Sequence, residues 1–143
     1  METFNMDVWG EIYKDHHAGK IQPHHIERDD GYIDEFESGE HYFAAVPRTE
    51  GERVLLDRLQ GPVLDLGGGV GTYALYLEER GIDAIHSDGS LGALEVARAR
   101  GCLKAEQIDI NNLNLPDQAF GSIIIMGNTL GLNQTVESLP QFL

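Results

Sequence analysis

At 143 residues the chain is long enough for one domain with a real hydrophobic core. Its lysines and arginines number 10 against 24 aspartates and glutamates, a formal net charge of −14. That balance speaks against nucleic acid, whose phosphates need a basic face. Cys102 is the only cysteine, so an internal disulfide is excluded. No apolar run approaches the roughly 20 residues of a membrane span, and the N-terminus lacks the basic-then-apolar order of a secretory signal. These features point to a cytoplasmic protein, whose acidity serves solubility or adaptation to a salt-rich cell.

Residues 1–48 are aromatic, acidic and rich in histidine. Phe4, Val8, Trp9, Ile12 and Tyr13 recur at helical spacing and predict a short amphipathic helix near 5–15. Pro23 and Asp29-Asp30-Gly31 punctuate the rest as loop. Tyr32, Ile33, Phe36, Tyr42, Phe43 and Val46 are anchors without a core of their own, so the segment reads as a cap over a core that begins later. His16-His17 and His24-His25 invite a metal reading, but adjacent histidines point in different directions and no spaced partner accompanies them. They read as polar loop residues, and no metal site is expected.

The remainder, 49–143, alternates strand and helix. Thr49 or Glu50 starts a helix with Val54, Leu55 and Leu59 as its apolar face, and Gly61-Pro62 stops it. Val63–Leu66 is a first strand, and a helix from about Val70 buries Ala74, Leu75 and Leu77 before Gly81 ends it. Ile82–Ile85 is a second strand terminating at His86-Ser87-Asp88. Ser90 caps the helix Leu91–Arg100, which Gly101 ends. Leu103–Ile110 reads as a third strand ending at Asp109, and Phe120–Met126 as a fourth, with Ile123, Ile124 and Ile125 buried on both faces. A last helix begins near Gln134 with Val136 and Leu139 on its face. The order is β-α-β-α-β-β-α, the pattern of a Rossmann-like α/β fold with a doubly wound parallel sheet.

The organising stretch is the first βα turn, where Asp65 ends a strand and Gly67, Gly68, Gly69 and Gly71 lead into a helix. Ligands of nucleotide type sit at such strand ends, where the helix aims free N–H groups. Two readings compete. Gly69-Val70-Gly71-Thr72-Tyr73-Ala74 satisfies G-x-G-x-x-A, with Asp88 at a suitable distance for a ribose, which suits NAD. The pattern Asp65-x-Gly67-x-Gly69-x-Gly71 instead sets a carboxylate facing the crevice. There it would repel a pyrophosphate and suit the ammonium group of S-adenosylmethionine.

Residues 49–143 resemble the cofactor-binding half of a class I S-adenosylmethionine-dependent methyltransferase of the small-molecule type. The matching stretches are VLDLGGGVGT from Val63 to Thr72, SDGSLGALEVAR from Ser87 to Arg98, QIDI from Gln107 to Ile110, and SIIIMGNTLG from Ser122 to Gly131. The resemblance implies that the Gly67, Gly68, Gly69 and Gly71 backbone lines the methionine portion of the cofactor. Asp65 would order the loop or reach the amino group through water. Asp88 would accept the ribose hydroxyls, with Gly89 and Ser90 beside it. Asp109 would accept from the adenine amine, Ile110 would give its N–H to the ring, and Asn128 would border the methyl group. The turn at Gly127–Gly131 lacks the Asn/Asp-Pro-Pro-aromatic stretch that holds a flipped base, which again disfavours a nucleic-acid substrate. Tyr13, Tyr32, His41 and Tyr42 are expected to close over the cofactor, with His41, Tyr42 and Asn128 as candidate catalytic residues.

Members of that family continue through a further helix, a fifth strand and usually an antiparallel pair, so the chain reads as truncated after its fourth strand and following helix. The fourth strand would expose an edge that a second copy could complete or cover as a homodimer. The runner-up readings are a non-catalytic S-adenosylmethionine-binding module and, behind it, an NAD-dependent oxidoreductase.

Overall fold

The computed structural model of the protein describes residues 7–20, 23–36, 38–127, 129 and 137. Helix α1, Val8–His17, is followed by an antiparallel hairpin, β1 His24–Glu27 and β2 Ile33–Phe36, and by the short helix α2, Ser38–Phe43. Helix α3, Glu50–Leu56, then leads into the alternating half: β3 Val63–Leu66, α4 Thr72–Glu78, β4 Ala84–Asp88, α5 Leu91–Arg100, β5 Ala105–Gln107 and β6 Ser122–Ile124. Among the described residues, β3 to β6 form one parallel sheet in the order β5-β4-β3-β6. This is the first half of a doubly wound sheet, with its strand ends gathered along one edge.

The core follows from the sequence of β3. Val63, Leu64, Asp65 and Leu66 are all buried, as an inner strand of a parallel sheet requires. Leu77 of α4 and Leu94 of α5 share the same full burial as Leu64. Each contributes roughly 1.5–3 kcal/mol by leaving water.

The helix ends are set by local chemistry. Ser90 Oγ accepts the Ala93 N–H at 2.9 Å, and Gly101 ends α5 with Cys102 N donating back to Ala97 O at 3.0 Å. Thr49 Oγ1 accepts the Glu52 N–H at 3.1 Å to start α3. Ile82 N closes the turn after α4 on Leu77 O at 3.0 Å. These boundaries agree with the sequence expectations.

Other expectations change. The first helix begins at Val8, and Phe4 lies outside the described residues; Tyr13 is buried, while Val8 and Trp9 are 52% and 40% exposed. The segment after it is not loop: His24–Glu27 and Ile33–Phe36 pair by their backbones, and their short polar runs carry no clear alternation to reveal it. Helix α3 ends at Leu56, before Gly61-Pro62; Leu56 and, beyond the helix, the expected Leu59 pack on the main core, while Val54 and Leu55 are exposed. The helix simply docks on a neighbouring stripe of the same apolar turn.

The third strand is shorter than expected. Pairing covers Ala105–Gln107 only, Leu103 is 83% exposed, and Asp109 instead caps a single 3-10 turn, Ile110–Asn112. Pairing in β6 likewise covers Ser122–Ile124 only. There Ile124 is buried and Ile123 is 51% exposed, so the run is not buried on both faces; it is an outer strand of the described sheet. The expected last helix near Gln134, with Val136 and Leu139, lies outside the described residues.

The N-terminal segment is held to the sheet through α1 and α5. Gly92 on α5 meets the backbone of Gly10 on α1 so closely that a Cβ there would stand 2.5 Å from Gly10 Cα. Two small residues let the helices touch along their backbones. Asp7 reinforces the contact: one oxygen accepts Gly10 N at 3.0 Å, and the other accepts both Gly92 N and Ser90 Oγ at 2.9 Å. One carboxylate therefore caps α1 and ties it to the start of α5.

Candidate functional site

The turn between β3 and α4 is forced by its neighbours. Gly71 has φ 78°, and a Cβ there would lie 2.4 Å from Cys102 Sγ. Gly67 has φ 69° and leaves no room either, since a Cβ would meet Thr129 Cγ2 at 2.5 Å. A left-handed backbone packed this tightly admits only glycine. Thr129 Oγ1 stands within hydrogen-bond reach of Met126 O at 3.1 Å and Gly67 O at 3.3 Å, so the residue braces the loop from one side.

From the other side comes β4. Asp88, partly buried at its end, accepts the Gly69 N–H at 2.9 Å on one oxygen and the Ser90 N–H at 2.8 Å on the other. Gly68 N donates to Ser87 O at 2.9 Å, and Ser87 Oγ returns a bond to Asp65 O, also at 2.9 Å. The loop and the end of β4 thus form one hydrogen-bonded rim.

Gln107 Nε2 donates to Gly89 O at 3.1 Å, and Ile108 N to Asp88 O at 3.2 Å. Asp109 and Ile110 follow directly on this neighbouring strand. Asp109 is exposed, with one oxygen accepting Asn111 N at 2.9 Å. Gly67, Gly68, Gly69, Gly71, Asp88, Gly89, Ser90, Asp109 and Ile110 therefore gather at the carboxyl ends of parallel strands. Asn128 lies outside the described residues.

Asp65 is placed differently from the expectation. Its side chain is fully buried beneath the loop, with Oδ2 3.6 Å from His86 Nδ1, and does not face a crevice. A strand flanked by β4 and β6 and covered by the loop leaves its last acid no path to solvent. Burial raises the Asp65 carboxyl above the ordinary range, and His86 opposes that shift.

The N-terminal elements reach the same rim. The Tyr13 hydroxyl lies 3.7 Å from where a Gly69 Cβ would stand. Its ring meets Tyr42 edge-on at 5.2 Å and stacks on Trp9 at 6.0 Å. Burial, then Tyr42 and Asp88, push the Tyr13 phenol well above the usual tyrosine range, so it stays a neutral donor. Thr72 Oγ1 donates to Tyr42 O at 2.7 Å, and Arg100 Nη1 donates to both Val70 O and Thr72 Oγ1 while its guanidinium lies over the Phe43 ring.

His41 is exposed, its carbonyl accepting from Arg48 and its ring against Tyr42. Tyr32 remains on the hairpin, 56% exposed with Arg28 over its ring. His16 and His17 pack on Phe43. No group of three or more potential metal-ligating side chains occurs among the described residues. Sequence reasoning did not find Asp7, Arg100 or Trp9 as parts of this assembly. Asp7 two residues before Trp9 carried an N-cap signal that could have been read; Arg100 carried none.

A glycine turn, a carboxylate on the next strand and a parallel sheet invite comparison with known proteins. No curated protein matches the chain. Among solved structures it is similar to an S-adenosylmethionine-dependent methyltransferase from Bacteroides fragilis in complex with S-adenosyl-L-homocysteine. The TM-score is 0.79 at 27% identity, over 95% of this chain and 56% of that one. The chain therefore spans little more than half the length of that relative. A family model described as a methyltransferase domain matches residues 63–143, which hold β3, the glycine turn, Asp88 and β6. The chain belongs to the methyltransferase-domain family.

Proposed function

We propose that the chain binds S-adenosylmethionine at the β3–β4 rim and serves methyl transfer to a small-molecule acceptor. The observation that carries the reading is Asp88, whose two oxygens are fixed by Gly69 N and Ser90 N at the end of β4. An ionised carboxylate has about four acceptor positions, so each oxygen keeps capacity for a ribose hydroxyl. The related structure from Bacteroides fragilis holds the demethylated form of the same cofactor, which supports the assignment.

The cofactor supplies an activated sulfonium methyl group, so the protein's task is positioning and exclusion of water. Gly67, Gly68, Gly69 and Gly71 offer bare backbone to the methionine portion. Asp88, with Gly89 and Ser90, orients the ribose, while Asp109 and the Ile110 N–H address the adenine. The Tyr13–Tyr42–Trp9 cluster closes the mouth above Gly69. A base is needed only if the acceptor arrives protonated, and His41, Tyr42 and Asn128 are the candidates for it. In this division 49–143 is the cofactor-binding domain and 1–48 its cap. The acidic chain is assigned to the cytoplasm, with no nucleic-acid partner, and the outer edge of β6 is where a second copy would complete or cover the sheet.

A second reading is binding of the cofactor without catalysis. An NAD-dependent activity rests on the G-x-G-x-x-A match alone. Calorimetric titration with S-adenosylmethionine, S-adenosylhomocysteine and NAD, paired with a light-scattering mass, tests all three. Binding of both sulfur ligands and not NAD is expected. Binding of NAD alone would end the methyltransferase reading, and tight binding with no turnover on any acceptor would favour the module.

A further inference from the structure

Two buried ionisable side chains face each other under the glycine turn, and among the described residues the Ala74 N–H at the start of α4 is the backbone donor that acts on the acid. Asp65 on β3 and His86 on β4 are cross-strand neighbours, both with no exposure, and Nδ1 lies 3.6 Å from Oδ2. Neither ring nitrogen and neither carboxylate oxygen has a partner within hydrogen-bond distance. The Gly68 backbone rests on the pair: a Cβ there would stand 2.3 Å from Asp65 Oδ2 and 2.6 Å from His86 Nδ1.

The groups facing the pair are acidic or neutral. Asp88 at the end of β4 acts on Asp65, and Asp65 in turn acts on Tyr73 of α4 and on Cys102 after α5. No lysine or arginine bonds to the Asp65 carboxylate among the described residues. The His86 side chain and the Ala74 N–H in the first turn of α4 favour the ionised carboxyl, but burial outweighs them, and a folded protein meets such a buried charge by pairing it or by keeping a proton.

We propose that Asp65 and His86 are positioning residues that carry no net charge as a pair, keeping one proton on one or other member beneath Gly68, and that this neutral pair sets the path of the glycine turn. Whether the proton sits on the ring or the carboxyl does not alter the count. The pair acts through the Gly68 backbone and touches no ligand. Only the ligand arm of the test rests on the cofactor reading above.

Proton counting makes the test sharp. Unfolded, Asp65 ionises near pH 4 and His86 loses its proton near about 6.5. Between those values the unfolded side chains also sum to zero charge, so the wild-type pair adds no pH dependence to stability. Above about 6.5 folding must take up one proton, and stability falls as pH rises. In His86→Gln the lone Asp65 must be protonated to stay buried, so its stability falls already from about pH 4 upward.

The experiment is urea unfolding from pH 4.5 to 8.5 of the 143-residue wild type, His86→Gln and the double variant Asp65→Asn/His86→Gln, each slope taken relative to the double variant. A one-proton decline confined to the region above about 6.5 in wild type, and displaced to low pH in His86→Gln, is expected. Equal slopes in all three would overturn the retained proton. If His86→Gln does not fold, wild type against the double variant decides, and a wild type as flat as the double variant overturns it. The ligand arm is calorimetry with S-adenosylhomocysteine. Because the folded pair keeps its proton across this range, wild-type affinity is expected to stay flat with pH. The double variant, which replaces the pair beneath Gly68, is expected to bind at least about tenfold more weakly. A double variant with wild-type affinity would overturn the loop-setting role. A wild type that binds no S-adenosylhomocysteine at any pH refutes the cofactor reading instead, and the unfolding series still decides the pair.

Discussion

The Asp88 carboxylate accepts the Gly69 N–H at 2.9 Å, joining the end of β4 to the turn after β3. One residue thereby holds the loop and keeps lone pairs for a ligand. Asp88→Ala removes both functions, and hydrogen bonds to a charged group contribute about 1.5–3 kcal/mol each. S-adenosylhomocysteine affinity is expected to drop on the order of a hundredfold by calorimetry. Asp88→Asn keeps the shape and loses the charge, so its affinity should fall between the two. An Asp88→Ala chain with wild-type affinity would remove Asp88 from the ribose.

The glycines of the chain differ in what a methyl group would cost. Gly81 has φ 73° with nothing within 4 Å, so Gly81→Ala meets only backbone strain, about 1–2 kcal/mol. Gly71→Ala meets similar strain and also Cys102 Sγ at 2.4 Å and Ala97 Cβ at 3.1 Å. It should lose at least about 3 kcal/mol in urea unfolding. Comparable losses for the two would mean that packing against Cys102 adds nothing at Gly71.

That contrast bears on what could be read from residues alone. The β3–α4–β4–α5 unit was legible because Val63–Leu66 is an apolar run, Ser90 and Gly101 are strong helix signals, and the glycines punctuate the turn. The same local signals show where glycine is required, but not that Cys102 is the obstacle, since that depends on α5 packing back over the turn. Asp65 misled for a related reason: a strand-end acid usually faces the crevice, and only its cross-strand neighbour His86 shows it to be covered. The hairpin His24–Phe36 stayed hidden because its strands are only four residues each, largely polar, and carry no apolar alternation to mark them.

Cys102 is expected to be inert in the folded protein. It is buried, its thiol is 3.7 Å from Gly71 O, and burial with Glu78 nearby pushes it up to about 12. The thiolate is the reactive form. Alkylation by iodoacetamide at pH 8 should therefore be slow in native buffer and fast in urea. Rapid native labelling would show that α5 and the turn separate readily in solution.

Asp7 gives the N-terminal helix a dependence on acid. Burial works to raise its carboxyl, but the Gly92 N–H, the Ser90 hydroxyl, the Gly10 N–H and Lys14 outweigh it, and the net shift is downward. A carboxyl lower in the folded than the unfolded state stabilises above its unfolded value, and that contribution is lost as pH falls through the folded one. Docking of α1 should thus persist at pH 5 and weaken below about 4. Asp7→Ala should remove about 1–2 kcal/mol and raise amide exchange across Val8–His17 even at neutral pH. Unchanged exchange there would show that packing alone holds α1.

Gly92 tests whether α1 matters to the ligand. A Cβ on Gly92 would lie 2.5 Å from Gly10 Cα and 2.8 Å from its carbonyl carbon, and backbone atoms cannot rotate away as a side chain would. In Gly92→Ala, α1 must move off α5, taking Tyr13 from Gly69 and straining the bond from Gly92 N to Asp7. The sheet does not depend on that contact, so β3 and β4 should keep their amide protection while α1 becomes protease-sensitive. If the Tyr13–Tyr42 mouth contributes to binding, Gly92→Ala and Tyr13→Ala each weaken S-adenosylhomocysteine. The double variant should then lose little more than either alone, because both remove one interaction. Additive losses would mean that α1 and Tyr13 act on the ligand separately, and no loss in either would place the mouth outside the cofactor site.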